Sequence, residues 1–343
     1  MRKTLNKIGW KYTVFGITYI IIQVALELLI AGLFPVFYDK YGTYVALALV
    51  VLSVDVVGFP LLFLLTIKMP KAELGHQKFH FGNFLLCVLI MYGLVIVGAF
   101  IGMAFHLPLT LPFDNTSSDL ATILMGTNTL PTVLVVGILA PIFEELIFRK
   151  LLVDRVAVHG ELVAILISGL MFGLFHGNFQ QCFFATFIGC FFAYIYIKTG
   201  KIIYTILLHM TLNCATSVVT LGLIKAMAKL AGEEGSDLLN GNIPTNPEEI
   251  PVAVTVIGLL MLAWVGFMFL MAFAGIILLI VFLATKKIKL ERKEGDPTYG
   301  KQILAVISSP LMYLFYVLCA ILFLVNYLPP ILKTVIPLIK NGF

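Results

Sequence analysis

The sequence predicts an all-α, polytopic bundle of about eight to nine transmembrane helices, forming a single integral membrane domain over residues 1–343. Three observations predict it. Hydrophobic residues make up 60% of the 343 and charged residues only 12%, about half the roughly 25% charged content of an ordinary soluble domain. The mean hydropathy is +1.04. Runs of 18 or more apolar residues recur along the chain, and runs of that length read as membrane-crossing helices. The net charge of +5 therefore bears on topology, and no nucleic-acid partner is expected.

The hydrophobic spans are expected at 12–34, 43–66, 82–105, 129–153, 161–177, 181–198, 202–222, 252–284 and 303–327. Arg2, Lys3, Lys7 and Lys11 precede the first. Its apolar core is too long for a signal peptide, and no small-x-small cleavage site follows, so it reads as a first transmembrane helix. Lys68, Lys71 and Lys78 follow the second span. Later turns on the same side carry Arg149, Lys150 and Arg155, then Lys198 and Lys201, and residues 286–301 hold six Lys or Arg against three acids. The opposite connections are acidic: Asp114 and Asp119 lie in 106–128, and five acids outweigh Lys225 and Lys229 in 225–250. This alternation places the N-terminus in the cytoplasm. The absence of an ER-retention signal favours a prokaryotic plasma membrane. One re-entrant span would reduce the count from nine to eight. The proline-bearing stretch after Leu328 reads as interfacial, and the five scattered cysteines as small reduced residues.

Three short strings carry the chemistry. They are Glu144-Glu145-Leu-Ile-Phe-Arg149, Phe172-Gly-Leu-Phe-His176 and His209-Met-Thr-Leu-Asn213. A charge at the bilayer centre costs at least about 2.5–3.5 kcal/mol, so intramembrane acids and histidines are functional candidates. Glu144 and Glu145 point about 100° apart on a helix and cannot act as one dyad. Glu145 and Arg149 stand at i,i+4 in the favourable order for an ion pair. That leaves Glu144 on another face as a general base, with Glu145 and Arg149 in support. A purely structural salt-bridge cluster is the competing reading.

Phe172 and His176 share a face, although a lone membrane histidine often only bonds a backbone carbonyl. Gly169 and Gly173 form a small-x-x-x-small pair that lets a neighbouring helix approach. His209 and Asn213 share a face of the seventh span, where an imidazole and an amide can polarise a carbonyl and hold an oxyanion; an interhelical polar clamp is the alternative. Counting ~1.5 Å per residue from the basic edges puts His209 ~12 Å, Glu144 ~16 Å and His176 ~24 Å deep, which do not coincide. Glu27 and Asp55 are further intramembrane acids, expected to face the bundle or water. Structural pairing is the preferred reading for both, and lining a substrate entry is the other.

In this order, over about 70 residues, the three strings resemble the motifs of the CPBP intramembrane proteases. That family includes the eukaryotic CaaX-processing endopeptidase and the bacterial Abi-type bacteriocin-processing and immunity proteins. The resemblance covers residues 129–222, flanked by transmembrane helices in 1–128 and 223–343. It implies that Glu144 acts with His176 to activate water, that His209 and Asn213 form the oxyanion hole, and that Glu145 and Arg149 are required beside Phe172. The chain lacks H-E-x-x-H, G-x-S-G and G-x-G-D, the signatures of three other routes to intramembrane cleavage.

The expected activity is an intramembrane endopeptidase acting on a membrane-associated or lipidated protein or peptide, with membrane lipid as its surroundings. A non-catalytic immunity or scaffolding protein that binds a peptide in the same cavity is the alternative. A proton or cation transporter is a third reading, unsupported by any internal repeat. No cofactor is required in this reading, because a Glu–His base needs no metal. Were zinc bound, Glu144, His176 and His209 would be its donors.

Overall fold

The computed structural model describes residues 1–110, 127–227, 229, 252–292 and 295–340, and all regular structure among them is helical. The helices in chain order are α1 (Arg2–Leu33), α2 (Pro35–Thr66), α3 (Phe81–Thr110), α4 (Thr129–His159), α5 (Glu161–Phe175), α6 (Phe179–Thr199), α7 (Ile202–Met227), α8 (Val252–Ala284), α9 (Tyr299–Ser308) and α10 (Met312–Lys340). Among the described residues seven helices are long and apolar enough to cross a membrane, and the bent pair α9–α10, broken by 60°, makes an eighth.

Four expected boundaries move. α1 takes in the basic N-terminal residues, and α2 begins at Pro35, a residue whose missing N–H suits a first helical turn. α5 has 15 residues, too short for a full crossing at 1.5 Å per residue. The stretch expected to be interfacial continues as helix to Lys340. The acids Asp114 and Asp119, and the five between 225 and 250, lie outside the described residues.

Small residues set the closest packing. A Cβ on Gly169 would meet Cys190 and the Thr186 carbonyl, and one on Gly173 would meet Thr186 and the Cys182 carbonyl. α5 and α6 therefore cross at backbone distance, as small-x-x-x-small faces allow. Gly93 and Gly275 do the same for α3 and α8. α6 starts at the Asn178 cap, whose side chain accepts from the Gln181 N–H at 2.9 Å. It ends at Gly200 with φ +67°. An extended strap, residues 70–80, crosses that end: the Gly75 and Gln77 N–H groups donate to the Ile197 and Lys198 carbonyls at 2.7 and 3.0 Å. These bonds satisfy carbonyls a helix end otherwise leaves free.

Among the described residues four wide, π-type stretches interrupt the ladders: Val51–Gly58 in α2, Val133–Leu139 and Leu146–Leu151 in α4, and Cys214–Val219 in α7. Pro60 and Pro141 follow two of them closely, and a proline supplies no N–H to the carbonyl four residues earlier. Carbonyls in the two α4 stretches are taken by side chains from elsewhere. Asn213 donates to Val136 O at 2.9 Å, Tyr12 to Ile147 O at 2.6 Å, and Ser168 to Phe148 O at 2.8 Å. Such turns occur often at functional sites. Here they line two adjoining cavities.

Candidate active site

Glu144 and Glu145 sit where α4 passes between its two wide stretches. The 100° step between them separates their environments. Glu145 and Arg149 are fully buried, and their side chains lie 3.1 Å apart in an ion pair whose angle falls short of a hydrogen bond. The Arg149 guanidinium lies over the Phe172 ring at 4.5 Å and the Phe192 ring at 5.5 Å, contacts that favour a cation. The Glu144 side chain keeps 29% exposure and opens into a cavity.

His209 spans the two carboxylates. Its Nδ1 is 3.0 Å from Glu145 Oε1 and its Nε2 is 3.5 Å from Glu144 Oε2. A carboxylate only accepts, so Nδ1 carries hydrogen and donates to Glu145. Donation from Nε2 then requires the doubly protonated ring, whose charge faces both carboxylates. Second-partner bonds of this kind set the orientation and tautomer of a working histidine.

His176 caps the C-terminus of α5, and its Nδ1 lies 2.8 Å from the Phe172 carbonyl. A carbonyl also only accepts, so Nδ1 is the protonated nitrogen and Nε2 presents a lone pair. Phe172, 1% exposed, stands edge-on to both imidazoles, its centroid 4.9 Å from His176 and 5.7 Å from His209. One aromatic ring thus holds Arg149, His176 and His209 in place.

Glu144, His176, His209 and Asn213 all line one cavity of 390 Å³ between α1, α2, α3, α4, α5, α6 and α7. Despite the unequal depths counted from the basic edges, Glu144 and His209 are neighbours and His176 lines the same cavity. Asn213 uses one amide hydrogen on Val136 O and retains a second. Of the further acids, Glu27 accepts from the Tyr38 hydroxyl at 2.7 Å. Asp55 lines an adjoining chamber with Glu144 and His176.

Gln23 and Gln181 also line the main cavity, and Gln23 Oε1 is buried without a partner. Neither glutamine stood out in the sequence, since each is a lone amide with no motif around it. Among the described residues no three His, Cys, Asp or Glu side chains gather as a metal ion requires.

Comparison with known proteins matches this same region. Residues 126–215 match the family model described as type II CAAX prenyl endopeptidase Rce1-like. The protein described as "Putative membrane peptidase YdiL" of Bacillus subtilis (strain 168) is 30% identical over 110 residues, 32% of this chain and 43% of that relative's length. The chain thus aligns with less than half of the curated relative it matches. No solved structure matches. Over the helices that carry Glu144, His176, His209 and Asn213, the chain is similar to the CAAX-type, Rce1-like membrane peptidases.

Proposed function

We propose that this protein is an intramembrane endopeptidase that hydrolyses a peptide bond of a membrane-associated or lipidated protein or peptide. One observation carries the reading: a carboxylate, two oriented imidazoles and a carboxamide line a single cavity. Similarity to the CAAX-type peptidases over 126–215 supports it.

Glu144, with the His176 Nε2 lone pair beside it on the cavity wall, takes a proton from water. The water oxygen adds to the scissile carbonyl carbon. The oxygen of that carbonyl becomes the oxyanion, and His209 Nε2–H and the free Asn213 amide hydrogen donate to it. The captured proton passes to the leaving nitrogen as the C–N bond breaks. Glu145 and Arg149 position His209 and do not touch the substrate. No metal enters these steps. The enzyme is an integral membrane protein with its N-terminus in the cytoplasm, as the alternation of basic connections suggests.

The test is a proteome-wide comparison of N-terminal peptides from cells expressing the wild type or Glu144→Ala at matched levels. Termini lost only in the mutant support the assignment and name the substrate. Identical termini overturn it. Glu144→Gln separates catalysis from peptide binding: a general base contributes about 10²–10⁴-fold, so cleavage falls by that factor, whereas a binding protein keeps its function. Purified enzyme should retain activity after dialysis against a chelator. Loss of activity restored by zinc would overturn the metal-free step.

A further inference from the structure

A second chamber of 280 Å³ adjoins the cavity, and Glu144 and His176 line both. Its distinguishing residue is Asp55, on the wide stretch of α2. Asp55 is 8% exposed and makes no hydrogen bond or ion pair among the described residues. The wall around it includes the rings of Tyr19, Phe148, Phe172 and Phe175. A carboxylate in such surroundings is costly without a counter-charge.

Two carboxylates, Asp55 and Glu144, therefore face one chamber. No Lys or Arg side chain lines this chamber. A cationic occupant supplies the counter-charge that the wall lacks. Aromatic faces around a carboxylate suit an alkylammonium or guanidinium. A hard divalent ion instead demands a shell of oxygen ligands.

We infer that this chamber is a specificity subsite for a basic side chain, Lys or Arg, of the peptide substrate, with Asp55 as its counter-ion. The inference rests on the peptidase reading and adds the class of substrate. Because Glu144 and His176 border both spaces, the basic residue lies within a position or two of the bond that is cut. Its ammonium or guanidinium meets Asp55 while its stem lies along the rings. Asp55 is thus a residue of substrate selection, and Glu144 remains the base.

The experiment uses the full-length protein in proteoliposomes and a library of synthetic membrane-anchored peptides. Members differ only by lysine or its uncharged isostere norleucine at one position. The wild type should favour lysine at a single position near the cleavage point. Truncating one partner of a buried charge pair costs roughly 2–5 kcal/mol, so the lysine-to-norleucine ratio of kcat/KM should fall about 30-fold or more in Asp55→Asn. Asp55→Glu, which keeps the charge, should retain the lysine preference and controls for misfolding. Cleavage by the wild type with no lysine preference at any position overturns the subsite. So does a preference that survives in Asp55→Asn. No cleavage of any library member by the wild type instead overturns the peptidase reading beneath it.

Discussion

α6 and α8 are both apolar helices long enough to cross a bilayer, yet they occupy opposite places in the molecule. In α6, 61% of the apolar window is buried; in α8, the more apolar of the two, only 11% is. α6 carries Gln180, Gln181, Thr186 and Lys198 among its apolar residues. Between Val252 and Ala284, α8 has only Thr255 and Trp264 with polar side-chain atoms. Hydrocarbon is as apolar as leucine, so there is no hydrophobic reward for hiding the most apolar helix. Such a helix is left against lipid. Helices with small and polar residues turn inward, where close packing and hydrogen bonds hold them. The cavity is lined by α4, α6 and α7, the three least apolar spans, together with more apolar ones such as α3, and not by α8.

Substitutions on the two kinds of helix should separate by size of effect. Arg149→Leu leaves Glu145 as a buried charge without its ion partner, and breaking such a pair costs about 3–5 kcal/mol. Thermal aggregation in detergent should show a large drop in midpoint; an unchanged midpoint would mean that Glu145 is not held as a charge. Asn213→Ala removes one oxyanion donor and should lower kcat about 10²–10³-fold, read by single-turnover cleavage of the substrate found above.

Gly173→Ala forces a methyl group against Thr186 and the Cys182 carbonyl, and overpacking of this kind costs about 1–3 kcal/mol. The matching change on α8, Gly266→Ala, meets nothing within 4 Å and should not lower the midpoint. Smallest of all, Leu262→Ala on α8, at a residue 69% exposed, should stay within about 0.5 kcal/mol of wild type. A strong effect there would mean that α8 is covered by another protein and not by lipid.

Much of the fold was legible because hydropathy and length are local properties. Most of the expected spans overlap a described helix long enough to cross. The fifth, expected at 161–177, is a 15-residue helix: predominantly apolar content alone does not distinguish a short helix buried in a bundle from a span. The different surroundings of Glu144 and Glu145 were also readable, since a 100° step and an i,i+4 partner follow from helix geometry. The approach of Asp55 to Glu144 was not. Those residues are 89 positions apart in sequence, and only the packing of α2 on α4 brings them to one chamber. The wide turns had a partial signal in Pro60 and Pro141. Nothing comparable marks Leu146–Leu151 or Cys214–Val219.

A wide turn holds one residue more than the ladder it interrupts, and one residue is worth about 100° of rotation. α4 therefore holds two couplings with slack in their phase, the first of them at Val133–Leu139. Deleting one residue from Val133–Leu139 should close the coupling into an ordinary turn and rotate the lip of the cavity against its floor, leaving Glu144 where it is. The same deletion inside α6, which has no such coupling, would swing every inward side chain away from its neighbour. Changes of length in α4 thus offer a route by which the opening could be re-aimed toward new peptides while the base and its histidines stay fixed.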